Sequence, residues 1–144
     1  MIEQDTVRLL RECDAGIDMG ISSIDEVIDY VDAPTFVRLL IDCRNEHDKL
    51  AKEVEEELVR FRDEGKQLNP VAKTMSNMMT DIKLKLHESD KTIAELMTDG
   101  CNMGVKSLNR YLNQYKAADE KSKDITKRLI HLEQKLTEDI REFL

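Results

Sequence analysis

Apolar residues recur every three or four positions along most of this chain, which places them on one face of successive α-helices. In residues 3–31 that face consists of Val7, Leu10, Ile17, Ile21, Ile24, Ile28 and Val31. The pattern breaks at the sequence DAP, residues 32–34, and proline is favoured in the first turn of a helix. A second helix is predicted over about 34–64, so residues 3–64 form a first predicted hairpin.

The same spacing predicts two further long helices, over about 90–116 and about 120–143, which form a second hairpin over 90–143. Between the hairpins, a shorter amphipathic helix is predicted over about 70–87, with several methionines on its apolar face. Two hairpins with short turns can bury their apolar faces against each other. We therefore expect one all-α domain of residues 1–144, an antiparallel four-helix bundle with an extra crossover helix.

Two stretches in corresponding parts of the hairpins have nearly the same sequence, DAGIDMGISSID at 14–25 and TDGCNMGVKSLN at 98–109. Gly16 and Gly20 of the first stretch match Gly100 and Gly104 of the second, 84 residues later. Because a glycine inside a helix costs about 1 kcal/mol relative to alanine, the matched pairs require a shared reason. We predict that the hairpins are repeats and that these four glycines allow another helix to pack closely.

The charge and the cysteine content limit the classes of partner and the cellular location that we expect for this protein. The net charge is −8 and the basic residues are scattered among acidic ones, so neither a nucleic acid nor a membrane is expected as a partner. The first residues, MIEQDTVRLL, lack the basic and apolar regions of a signal peptide. The three cysteines are far apart and form no CxxC pair, which favours free thiols and a cytoplasmic location. Cys101 falls on an apolar helix face and is interpreted as a small buried residue.

The chain resembles the ferritin-like superfamily, whose members consist of two related hairpins joined by a long crossover. It is also similar to a bacterial ferritin-like family of unknown function. The resemblance is carried by the stretches LLRECDAGIDMG, FVRLLIDCRNEHDKLAKEVEEEL and ELMTDGCNMGVKSLNRYL. It implies a bundle in which two irons can be held by a Glu from the first helix and a Glu-x-x-His motif from the second helix of each hairpin.

The ligands that this resemblance implies are mostly missing. The first hairpin has Arg44-x-x-His47, with an arginine where the motif has a glutamate. Arginine stays protonated in proteins and therefore cannot bind a metal ion. In the second hairpin, Arg128-x-x-His131 falls on a polar helix face. When the apolar faces of the two hairpins are aligned with an offset of 85 residues, Leu129 and Leu132 correspond to Arg44 and His47. We therefore expect no catalytic residue, cofactor or metal site. The remaining candidates for an iron or manganese ligand are His47, Glu26 and Glu95.

Arg44 and His47 interrupt an otherwise apolar face, and a buried charge requires a partner. In an antiparallel hairpin with its turn near residue 33, residues 44–47 lie across from about 19–22, close to Asp18 and one turn from Asp14. We predict a buried or half-buried cluster of Asp14, Asp18, Arg44 and His47. Such a cluster is either a polar layer that fixes the helix register or a functional pocket, and its histidine would make it sensitive to pH.

These observations favour a non-catalytic ferritin-like bundle that acts by protein interaction, with a homodimer or another protein as its partner. Two alternatives remain open at this point. One is a divergent di-iron oxidase or metal-storage protein. The other is a helical adaptor whose apolar face is shared with a partner chain.

Overall fold

The computed structural model describes residues 2–61 and 89–144, and all regular secondary structure within these two ranges is helical. The α-helices are α1 (Ile2–Val27), α2 (Pro34–Arg60), α3 (Asp90–Gln114) and α4 (Glu120–Asp139). Short 3₁₀ helices at Ile28–Tyr30 and Arg141–Phe143 follow α1 and α4. The all-helical prediction is confirmed for these residues, whereas the predicted crossover helix at 70–87 lies outside them.

The helices begin where the sequence supplies suitable residues. Pro34 occupies the first turn of α2, where its missing N–H is not needed for the helix ladder. The Oγ of Ser89 accepts a hydrogen bond from the Thr92 N–H and caps α3. Asp119 caps α4 in the same way, with its carboxylate accepting from the Ser122 N–H at 2.8 Å. The starts of α2, α3 and α4 are therefore encoded by nearby residues.

Contacts between distant residues establish the helix directions. The Ala117 N–H donates to the carboxylate of Asp5, whereas the Ala33 N–H at the other end of α1 donates to Asp90, so α1 and α3 are antiparallel. The contacts between α1 and α4 advance along both helices together, which makes these two helices parallel. They join Thr6 to Asp119 and Cys13 to Thr126. The helix α2 also runs opposite to α1, since Asp25 contacts Arg44 whereas Gly20, earlier in α1, contacts His47, later in α2. Arg60 and Asp90 therefore lie at opposite ends of the bundle.

The core consists of two apolar clusters, one toward each end of the bundle. The first cluster includes Ile24, Phe36, Leu40, Cys43, Ile93, Met97, Cys101, Leu136 and Ile140. The second includes Leu10, Cys13, Ile17, Leu50, Val54, Leu108, Ile125, Leu129 and Ile130. In α2, His47 lies between the last residue of the first cluster and the first residue of the second. Glu133 has the same position in α4, so buried polar residues separate the two clusters.

Candidate functional site

His47 of α2 and Glu133 of α4 form a buried polar pair between the two hairpins. The Nε2 atom of His47 lies 4.0 Å from Oε1 of Glu133, and their side chains are only 3% and 10% exposed. This distance is too long for a hydrogen bond, so the two groups interact through their charges. Three buried side-chain atoms of the described residues have no hydrogen-bond partner, namely His47 Nε2, Glu133 Oε2 and Thr98 Oγ1. Two of these three atoms belong to the pair.

The other ring nitrogen of His47 fixes the direction in which Nε2 points. Nδ1 donates a hydrogen bond to the backbone carbonyl of Cys43 at 2.8 Å, and the Cys43 Sγ lies 3.6 Å from the same nitrogen. Burial lowers the pKa of His47, but its contacts with Cys43 and the Glu133 carboxylate outweigh burial and raise the pKa to about 10. These contacts therefore favour the protonated imidazolium, whose positive charge complements the carboxylate of Glu133.

Two of the four repeated glycines make room for this pair. A Cβ atom built on Gly20 would lie 2.7 Å from Nε2 of His47, and one built on Gly104 would collide with the carboxylate of Glu133. Gly16 is different, since its Cβ would make an ordinary 3.8 Å contact with Leu129, and nothing lies within 4 Å of a Cβ on Gly100. What comes close to Gly20 and Gly104 is a polar side chain, whereas the sequence predicted the close approach of another helix.

Glu133 corrects one assignment made from the sequence. The alignment of the two apolar faces with an offset of 85 residues predicted that α4 has only leucines, Leu129 and Leu132, at the level of Arg44 and His47. The two glycines instead pair His47 with Glu133, which follows it by 86 residues. The second hairpin therefore contributes a buried carboxylate. The available signal was the position of Glu133 next to Leu132 on the border of the apolar face.

The structure does not bring the predicted four-residue cluster together. Arg44 lies at the margin of the bundle with its side chain 36% exposed, and it binds Asp25 at 2.7 Å and Asp48 at 3.1 Å in place of the expected Asp14 and Asp18. Asp14 is half-buried and Asp18 is exposed. A step of three residues turns a helix by about 300°, so Arg44 faces roughly 60° away from the buried His47 and its long side chain reaches the surface.

The described residues do not fit a di-iron site. In residues 2–61 and 89–144, no three side chains of His, Cys, Asp or Glu are grouped so that they could hold a metal ion. Glu26 is half-buried and Glu95 is exposed, and the buried pair supplies only one carboxylate and one imidazole. Two irons in a ferritin-like di-iron protein are held by four carboxylates and two imidazoles. His131 is exposed, as its polar helix face predicted.

The three thiols are buried and free. The Cys13 Sγ lies 3.1 Å from Oγ1 of Thr126, and burial raises the pKa of Cys13 to about 12. Burial also raises the pKa of Cys101, with a further contribution from the nearby charge of Glu133. Because only the thiolate is a good nucleophile, Cys13 and Cys101 are unreactive at neutral pH. The interpretation of Cys101 as a small buried residue is confirmed.

Comparisons with protein-family models, curated proteins and solved structures found no match to this chain. None of the helices in the described residues combines the length and the hydropathy that a bilayer-spanning segment needs. The geometry of the described residues is therefore the basis for any functional assignment.

Proposed function

We propose that this chain is a ferritin-like four-helix bundle that acts by self-association through the outer face of α1 and α3, and not by catalysis. The observation that carries the proposal is the position of two exposed methionines, Met19 of α1 and Met103 of α3. Their side chains are 43% and 70% exposed. Methionine is a flexible apolar residue that is often used on surfaces that bind other proteins.

Met19 and Met103 lie at the same level of neighbouring antiparallel helices. Asp5 meets Ala117 at one end of this helix pair, and Met19 and Met103 are each fourteen residues inward from that contact. Gly100 is exposed beside Met103 and has open space around it. Two apolar side chains at one level, beside a position without a side chain, are suited to receive an apolar surface of a second copy.

The directions of the helices support a ferritin-like arrangement. The helices α2 and α3 both run opposite to α1, and α4 runs parallel to it. A bundle with this order needs one long crossover between its two hairpins, which is the connection found in ferritin-like folds. The matched packing of Gly20 against His47 and of Gly104 against Glu133 supports the proposal that the hairpins are repeats.

The chemistry of the described core supports a role other than catalysis. His47 and Glu133 are engaged with each other below the surface, and the thiols are buried. A general acid or base has to come within hydrogen-bond distance of a substrate. The alternative of a divergent di-iron protein gains no support from these residues, since their centre offers a single carboxylate.

Self-association can be tested by measuring molar mass in solution by light scattering over a range of concentrations. We expect a dimer of the native chain, and we expect the double substitution Met19→Ser with Met103→Ser to raise its dissociation constant at least about tenfold by removing apolar contact area. The matched control is Val59→Ser, which removes an exposed apolar side chain from α2. A native chain that stays monomeric at all concentrations would overturn the proposal, as would equal effects of the methionine and valine substitutions.

A further inference from the structure

We propose that His47 and Glu133 form a proton-dependent lock between the hairpins, which holds α2 against α4 while His47 is protonated and weakens when that proton is lost. The inference is independent of self-association, because it rests only on the interior of one chain. It concerns a conformational device built into the bundle.

The position of the pair makes it a connection between hairpins. His47 belongs to α2 of the first hairpin and Glu133 to α4 of the second, and their charged atoms approach to 4.0 Å. The pair also lies where the two apolar clusters of the core meet. Any change in its charge therefore acts on the packing of both hairpins at the centre of the bundle.

Each side chain of the pair packs against a glycine of a neighbouring helix. Gly20 lies against the imidazole and Gly104 against the carboxylate, each so close that a Cβ could not be accommodated without a shift. The side chains fill the space that the glycines leave. Both side chains therefore occupy space that a Cβ on either glycine would take.

Within residues 2–61 and 89–144, the groups that face His47 include no second cationic side chain for Glu133. From its own helix His47 meets Cys43, and from α4 it meets Glu133. The helix α1 contributes Gly20 at this level, and α3 contributes Gly104 and the thiol of Cys101. The negative charge of Glu133 contributes to the raised pKa of this thiol. The arginines on α2 and α4 that lie nearest in sequence bind other carboxylates at the margin. Arg44 binds Asp25 and Asp48, and Arg128 binds Glu53 and Asp124.

Loss of the His47 proton would leave Glu133 as an unpaired buried charge, and such a charge strongly destabilises a folded protein. The pKa of His47 is raised to about 10 from its ordinary value of 6.5. The stabilisation from this proton is therefore complete below about pH 6.5, and it is lost as the pH rises through about 10. The lock is closed at neutral pH and opens in alkaline solution.

The test compares the urea midpoint of unfolding at pH 7 and pH 10 for the native chain and for Glu133→Gln. Without the carboxylate, the pKa of His47 is lower and its proton stabilises the fold less. We therefore expect the decrease in the urea midpoint between pH 7 and pH 10 to shrink by at least half. The matched controls are Glu138→Gln on the same helix and His131→Gln, which change exposed residues and should preserve the native fall. Equal pH dependence of Glu133→Gln and the native chain would overturn the proposal.

A second measurement needs no substitution in the pair. The ring of His47 can be followed by NMR as the pH is raised, and the substitutions His87→Gln and His131→Gln assign the signals of the other two histidines. The proposal predicts that His47 keeps its proton well above pH 6.5 and that amide exchange in the central turns of α2 and α4 accelerates, beyond the intrinsic effect of pH, as the proton is lost. Titration of His47 at or below pH 6.5 would overturn it.

Discussion

Gly20 lies against the imidazole of His47 so closely that a Cβ on the glycine would approach Nε2 to 2.7 Å. The corresponding glycine of the second hairpin, Gly104, lies against the carboxylate of Glu133. These two relationships give a physical reason for glycines inside long helices, which are otherwise unfavourable. They also connect one pair of matched glycines to the polar pair at the centre of the core.

Replacing either close-packed glycine should destabilise the bundle. For Gly20→Ala and Gly104→Ala we expect the free energy of unfolding to fall by about 1–3 kcal/mol, because the added methyl group displaces a side chain in a packed core. Denaturation in urea, monitored by circular dichroism, measures this change.

Gly100→Ala is the matched control, since a Cβ at Gly100 meets nothing within 4 Å. This substitution should raise the free energy of unfolding by about 0.5–1 kcal/mol through the higher helix propensity of alanine. If all three substitutions stabilised the protein, the packing described for Gly20 and Gly104 would be incorrect.

The polar pair should show strong coupling in a double-mutant cycle. Removal of one partner, as in His47→Ala, leaves the other buried and should cost about 3–5 kcal/mol. The exposed control His131→Ala should stay within about 0.5 kcal/mol of the native chain. The combined change His47→Ala with Glu133→Ala should cost less than the two single changes added together, with a coupling of about 1–3 kcal/mol. Additive effects would mean that the two side chains do not interact.

Asp90 should tie the start of α3 to the turn between α1 and α2. Its carboxylate accepts hydrogen bonds from the backbone N–H groups of Asp32 at 2.8 Å and Ala33 at 2.9 Å. Asp90→Ala should therefore lower the free energy of unfolding by roughly 1.5–3 kcal/mol, the range for hydrogen bonds to a charged group. Asp99→Ala, which removes an exposed carboxylate from the same helix, is the control. Equal effects of the two substitutions would contradict the contact.

The buried thiols should resist modification in the folded protein. The pKa of Cys13 is raised to about 12 from 9.0, which lowers its thiolate fraction at pH 8 by about a thousandfold. Reaction of the folded chain with a disulfide reagent at pH 8 should be at least about 100-fold slower than that of the chain unfolded in urea. Immediate reaction of all three thiols in the folded protein would contradict their burial.

Much of the helical framework was predictable because it depends on local sequence. The spacing of Ile17, Ile24 and Leu40 places them on buried faces, and Pro34 and Ser89 mark helix starts. The burial of His47 was also predictable, since it interrupts an apolar face. These features follow from the 3.6-residue period of a helix and from capping residues.

The partners of the buried and marginal charges were not predictable in the same way. Arg44 was expected in a buried or half-buried cluster with Asp14 and Asp18, but its side chain is long enough to reach Asp25 at the surface. Glu133 was missed because adjacent residues differ by about 100° around a helix, so both it and Leu132 lie near the border of the apolar face. Which of two such neighbours turns inward depends on the facing helix, and here Gly104 provides the space.

Native mass spectrometry after incubation with ferrous iron, manganese or zinc tests the central claim most directly, because it reports subunit number and bound metal together. A self-associating bundle without metal chemistry predicts a species of twice the chain mass of 16.7 kDa, with no metal retained. A monomer that holds two metal ions per chain, and loses them on His47→Ala, would contradict the proposed function and favour a divergent di-iron protein.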